Sequence, residues 1–277
     1  MVDNFVLVTA PNSKTGKQVV KLLEKENISF RAASRSTSPS FDWEDEKTWP
    51  PAMSGANAIY AVIPPNLAFA NMPVRFKAFL KHCEAEQIKR IVLLSGRGEE
   101  EASRIEDIAL SSTIPTTVLR ASWFAQNFSE GYFVEGVVNG QLALPSKLVR
   151  EPFVDTRDIA KAAVFALKDT SSNDNIYELT GPELLSFEDV ANKFTKHLDQ
   201  PVTFVYVPLE DYLNELQQFG VPSDEIELTR FLFDELLDGR NAYTTSDLSL
   251  LLGEHGTSFE QFIQHTKSSG VWQPECQ

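Results

Sequence analysis

Through its first half the chain alternates short, almost unbroken apolar runs with longer stretches whose apolar positions recur every three or four residues. The runs are Phe5 to Thr9, Phe30 to Ser34, Ala58 to Ile63, Arg90 to Ser95 and Thr116 to Arg120. The longer stretches are Gly16 to Glu26, Met72 to Glu86 and residues 100–112. Val19, Val20, Leu22 and Leu23 supply the apolar face of the first. Solid Val, Ile and Leu runs are what strands buried on both faces look like. Strand and helix in alternation predict a parallel α/β sheet with right-handed crossovers, which binds ligands at the carboxyl ends of its strands. The residues just after each run are therefore the ones to read for chemistry.

Beyond residue 150 the pattern shifts toward helix. The sequence predicts helices over Ile159 to Leu167, from the cap Ser186 through Leu198, over 209–219 and 224–238, and over Phe259 to Thr266. Only Ile176 to Thr180 and Thr203 to Val207 have strand character. The expected organisation is a dinucleotide-binding-type domain over 1–150 and a smaller α+β substrate lobe over 151–277, interleaved with the first. No internal repeat or low-complexity segment interrupts it.

Composition narrows the function. With Lys plus Arg 25 and Asp plus Glu 39, the formal charge is −14; lacking any dense basic block, the chain is a poor match for a phosphate backbone, so no nucleic-acid partner is expected. No apolar run reaches the ~18 residues of a membrane span. Met1-Val-Asp-Asn leads straight into the first run without the basic and apolar regions of a signal peptide. Cys83 and Cys276 lie nearly the whole chain apart, and His82, His197, His255 and His265 are scattered, so neither a disulfide framework nor a metal site is expected. A reducing, cytoplasmic setting follows; a homo-oligomer is left open.

The first turn, Thr9-Ala10-Pro11-Asn12-Ser13-Lys14-Thr15-Gly16, holds Ala10, Ser13 and Gly16 at the three spacings where a dinucleotide fold carries glycine. Those glycines permit a tight turn, close approach of a pyrophosphate and close helix packing. Val8 to Gly16 resembles the corresponding turn of the NmrA-like family of atypical short-chain dehydrogenases/reductases. Arg31-Ala-Ala-Ser34-Arg35-Ser, Phe41-Asp-Trp43, Trp49, Gly55-Ala56, Ile91 to Gly98, Val118 to Ser129 and Phe153 to Ala160 resemble further segments of that family. The likeness runs through most of residues 5–170, weakens toward Phe259, and is nearest to the branch that includes ergot-alkaloid reductases.

The resemblance implies a Rossmann-type doubly wound sheet and NADP(H), held by Thr9, Ala10, Asn12, Ser13, Lys14, Thr15, Gly16, Arg31, Ser34, Arg35, Ile63, Pro64 and Ser95. In NADP-binding members, cations stand at the second strand's end, where Arg31 and Arg35 lie; no acidic residue there accepts a ribose 2′-hydroxyl. Pro64-Pro65 would stiffen the loop beside the nicotinamide. With Ala10 and Ser13 replacing glycine, the alternative is a cofactor site that has been lost.

None of the six tyrosines is followed four residues later by lysine, so the Tyr-x-x-x-Lys acid of the wider superfamily is absent. Candidates for the chemistry are Ser95, Glu101, Tyr132 and Asp155. Glu99-Glu100-Glu101 is expected to be mainly a solvated helix start, while Asp155, Arg157 and Asp158 are expected to cap and pair at the lobe junction. Trp123, Asn127, Phe128, Tyr132 and Phe153 are expected to wall the substrate, unless some of these rings are ordinary core. These residues point to an NADP-dependent reductase of a small apolar metabolite, an iminium or an activated alkene or carbonyl. Two alternatives stay open. One is a redox-neutral enzyme on the same fold, for which the feature to seek is a buried carboxyl of raised pKa among Glu99, Glu100, Glu101, Glu130 and Asp155. The other is an NAD(P)-sensing regulator.

Overall fold

The computed structural model describes residues 5–63, 71–146 and 149–273. Pro64 and Pro65, expected beside the nicotinamide, and Cys276 lie outside these residues. The chain divides into two units. The first comprises Met1–Ala121, Thr156–Leu179 and Asp247–Glu254, the second Ser122–Asp155, Thr180–Ser246 and His255–Gln277. The chain thus passes between units several times. Helix Thr156–Lys168 and the strand after it, beyond the expected boundary near residue 150, belong to the first unit.

The first unit is built on six parallel strands: β1 (Phe5–Val8), β2 (Phe30–Ala32), β3 (Ala56–Val62), β4 (Arg90–Gly96), β5 (Thr116–Ala121) and, skipping one in chain order, β7 (Ile176–Leu179). Their order is β2-β1-β3-β4-β5-β7. The chain leaves β1 in both directions, which opens a crevice at the carboxyl ends of β1 and β3, the ligand position of a doubly wound sheet. Leu7, Ile59, Ile91, Leu93 and Val118 point to one face and bury Trp49, Phe76, Phe79, Cys83 and Ile105. Two indoles fasten this layer through main-chain acceptors. Trp43 Nε1 donates to Val62 O at 2.8 Å and Trp49 Nε1 to Asp42 O at 2.6 Å. Helices Gly16–Lys25 and Thr156–Lys168 pack on each other, and the second lies on β3, β4 and β5. Four of its nine buried residues are alanine (Ala160, Ala162, Ala163, Ala166), which lets the backbone approach the sheet closely.

The second unit pairs β6 (Gln141–Leu144) with β8 (Thr203–Tyr206), both parallel. Its core is aromatic: Phe128, Phe133, Phe153, Phe187, Phe194 and Phe259 are all buried. Helix Phe187–His197 begins with the reciprocal capping expected at Ser186, whose hydroxyl accepts from Asp189 N at 3.1 Å while Asp189 Oδ2 accepts from Ser186 N at 3.0 Å. The expected helix over 224–238 instead ends at Phe231 and widens into a π turn over Leu232–Leu236.

Candidate active site

The turn after β1 is closed from within. Ser13 Oγ donates to Ala10 O and accepts from Gly16 N, both at 2.9 Å. Gly16 opens its helix and is buried; a Cβ there would overlap the Ala10 carbonyl and Ser13 Oγ. Neither Ala10, Ser13 nor Gly16 takes a positive φ, so alanine at the first glycine position carries no conformational penalty. The Thr9 hydroxyl ties β1 to β3, donating to Tyr60 O at 3.3 Å and accepting from Val62 N at 3.1 Å. Thr15 is buried, Lys14 half-buried and Asn12 exposed, while Ile63 is half-buried against the core.

The two arginines near the end of β2 part company. Arg31 Nη1 donates to the carbonyls of Pro51, Ala52 and Ser54 at 3.2, 2.8 and 3.1 Å. Its guanidinium carbon sits 4.3 Å from the Phe5 ring centroid. These carbonyls belong to the end of helix Trp49–Met53, where acceptors are left over and a cation is favourable. Arg31 thus holds that helix end through Nη1. Arg35 is exposed in the following turn, where Ser34 N donates to Thr37 Oγ1 at 2.8 Å and the hydroxyls of Ser34 and Ser36 lie 3.1 Å apart.

At the carboxyl end of β4 the structure assembles a buried charge network that sequence reasoning missed. Ser95, Arg120 and Glu178 occupy one row across β4, β5 and β7. Glu106, 1% exposed, reaches down from helix Glu100–Leu110. It accepts from Ser95 Oγ at 2.5 Å and from Arg120 Nε at 2.8 Å, and pairs with Arg120 Nη2. Glu178 stands 3.7 Å from Arg120 Nη1 and 3.4 Å from Nε of the buried Arg97. Ser95, a candidate for substrate or cofactor, therefore donates to Glu106. The signal for Glu106 was a carboxylate on the helix face it shares with Ala109, which needs a buried partner.

Of the three consecutive glutamates, two behave as a solvated helix start. Glu100 and Glu101 pair with Arg104 at 2.6 and 2.9 Å, in water. Glu99 does not. Its carboxyl group folds back over the Cα of Gly96, filling the space a Cβ would take. Burial, reinforced by the carboxylate of Glu106, pushes its pKa up to about 7.

In the second unit the expected substrate wall splits. Phe128 and Phe153 are buried among Phe187 and Phe259 and serve as core. Trp123 is half-buried, stacks on Phe133 at 6.2 Å and meets Phe233, from the π turn, edge-on at 5.7 Å. Tyr212 meets the same Phe233 at 5.9 Å. Phe233 and Tyr212 carried no sequence signal beyond helical periodicity. Asn127 is half-buried, whereas Tyr132 is 62% exposed. Partial desolvation and the Glu225 carboxylate hold the Tyr132 phenol above its ordinary pKa; Tyr60, fully buried, is raised further by desolvation. Both phenols keep their protons at neutral pH. Asp155 is buried and accepts from Gln126 Nε2 at 2.9 Å.

Residues 100–259 match the model of the NmrA-like family. The chain belongs to that family. This NmrA-like protein is 26% identical to prestalk A differentiation protein A of Dictyostelium discoideum, over 95% of this chain and 93% of the relative. It is 28% identical to agroclavine dehydrogenase of Claviceps fusiformis, over 96% and 98%. The Citrobacter triphenylmethane reductase, solved with NADP(H), superposes with a TM-score of 0.77 at 17% identity, over 94% of this chain and 99% of that one. At that identity the likeness is one of fold. Among the described residues, no helix of this NmrA-like protein is long and apolar enough to cross a membrane, and no group of three or more His, Cys, Asp or Glu side chains is placed to hold a metal ion.

Proposed function

We propose that this chain is an NADP(H)-dependent reductase of a small, largely apolar molecule. The observation that carries this reading is the turn after β1, where Gly16 is locked against the Ala10 carbonyl at the carboxyl end of a strand beside the switch point. A dinucleotide fits this turn. Its residues keep negative φ, the helix N-terminus is presented at Gly16, and Lys14 lies alongside. When bound, the reduced dinucleotide supplies a hydride. The chain's own part is to hold the pyrophosphate at residues 10–16 and to meet the 2′-phosphate with Arg35 and the Ser34–Thr37 turn. NADP-binding and reductase relatives support this reading.

A second reading, a redox-neutral enzyme on the same fold, has one observation in its favour. Ser13 Oγ already occupies the Gly16 amide, one of the donors that would otherwise turn to phosphate. Calorimetric titration with NADPH and NADH at equal ionic strength separates the two. The expected outcome is micromolar NADPH binding with NADH much weaker; no binding of either up to millimolar concentration overturns the reductase.

A further inference from the structure

We infer that Glu99 is the proton donor of this site, and that its substrate is a neutral conjugated carbonyl compound, whose C=C reduction takes up a proton as well as a hydride. The inference rests on the reductase reading and deepens it. It starts from where the carboxyl group sits: at the carboxyl end of β4, in the middle of the sheet, seated on the bare Cα of Gly96. The neighbouring hydroxyls and cations are engaged elsewhere. Arg120 is taken by Glu106 and Glu178, Arg97 by Glu178, and the Ser95 hydroxyl by Glu106. Ser103 on the following helix turns its hydroxyl to the main-chain carbonyl of Glu99 at 3.2 Å, not to the carboxylate. The like charge of Glu106 adds to the effect of burial on Glu99.

A carboxyl group half removed from water, beside a carboxylate and with the local cations already paired, keeps its proton. A permanently cationic iminium would instead call for an ionised carboxylate, and its reduction needs hydride alone. A neutral enone needs both partners. The C=C π bond breaks, and the β-carbon takes the hydride from the reduced nicotinamide dinucleotide, which is left oxidised. The electron pair displaced toward the α-carbon takes the proton from Glu99, and water reprotonates the carboxylate. No tyrosine–lysine pair is then required.

The test uses the full chain and its Glu99→Gln and Glu99→Asp variants. Two readouts are independent of turnover. In carboxyl-labelled protein, one glutamate resonance titrating near neutral pH is expected in wild type and lost in Glu99→Gln, while calorimetry should give both proteins the same NADPH affinity. With NADPH, reduction of a simple cyclic enone is expected to fall at least about 100-fold in kcat in Glu99→Gln. Reduction of a preformed cyclic iminium should change less than about twofold, and Glu99→Asp should restore part of the enone activity. Enone reduction undiminished in Glu99→Gln, equal loss on both substrates, or wild type that reduces only the iminium each overturns the proposal. So does a Glu99 carboxyl that titrates as an ordinary one. A wild-type chain that binds no NADPH overturns the reductase reading itself, which the calorimetry registers before any variant is made.

Discussion

Two strand ends in the first unit, those of β1 and β4, each have a glycine where a Cβ would collide with something, and they are filled in opposite ways. At Gly16 the obstacle is the main-chain carbonyl of Ala10, clamped by the Ser13 hydroxyl. At Gly96 it is the far end of the Glu99 side chain. The first is closed by uncharged groups, a main-chain carbonyl and a hydroxyl. The second is floored by buried charges and crowned by a carboxyl group that can swing or titrate. The difference teaches that one sheet can carry, two strands apart, an end closed by main chain and an end covered by a titratable side chain.

The largest effect should come from breaking the charges under the β4 end. Arg120→Ala leaves Glu106 buried without its counter-ion and is expected to cost about 3–5 kcal/mol in denaturant unfolding. An unfolding midpoint within error of wild type would show the pair to be dispensable. Gly16→Ala drives a methyl group into backbone that cannot yield, so about 1–3 kcal/mol of stability should go. NADPH affinity in calorimetry should fall with it, by about tenfold or more.

Next comes pH. Because Glu99 titrates at about 7 in the folded chain against an ordinary value near 4.5, the folded state holds the extra proton between those values. Its contribution is complete below 4.5 and is lost as pH rises through about 7. Wild type should lose on the order of 1–3 kcal/mol across that window, and the loss should be absent from Glu99→Gln in melts run side by side. The two arginines near the end of β2 come next. Arg31→Ala should cost about 1 kcal/mol and leave the NADPH-over-NADH preference intact. Arg35→Ala should leave stability within about 0.5 kcal/mol and erase much of that preference. Gly96→Ala should push the Glu99 carboxyl into water at a cost below about 1 kcal/mol, returning its titration toward the ordinary range. A cost like that of Gly16→Ala would mean that the β4 end is as stiff as the β1 end.

Much of this was written in local pattern. The strands of the main sheet were legible because a strand buried on both faces needs an apolar run: β1 is apolar throughout, and β3, β4 and β5 each carry such a run between polar ends or neighbours. The helix opening at Gly16 and the cap at Ser186 were legible because each is specified within a few residues. β6 was not, since Gln141–Leu144 is short, half exposed, and exists by pairing with β8 some sixty residues on. The π turn at Leu232–Leu236 was likewise hidden within a helical pattern, although it is what turns Phe233 toward Trp123.

The sequence by itself determined that this is a parallel α/β chain with a modified dinucleotide turn and no tyrosine–lysine acid, because periodicity, spacing and absence are properties of the chain alone. Only the tertiary structure decided which of two arginines holds a helix end and which stays free of that duty. It also decided whether the Ser13 hydroxyl turns inward, and which of three consecutive glutamates keeps its proton. Those outcomes depend on what the far strands and helices bring within a few ångströms. Desolvation and charge pairing act through space, and neighbours in sequence such as Glu99 and Glu100 can end in opposite environments.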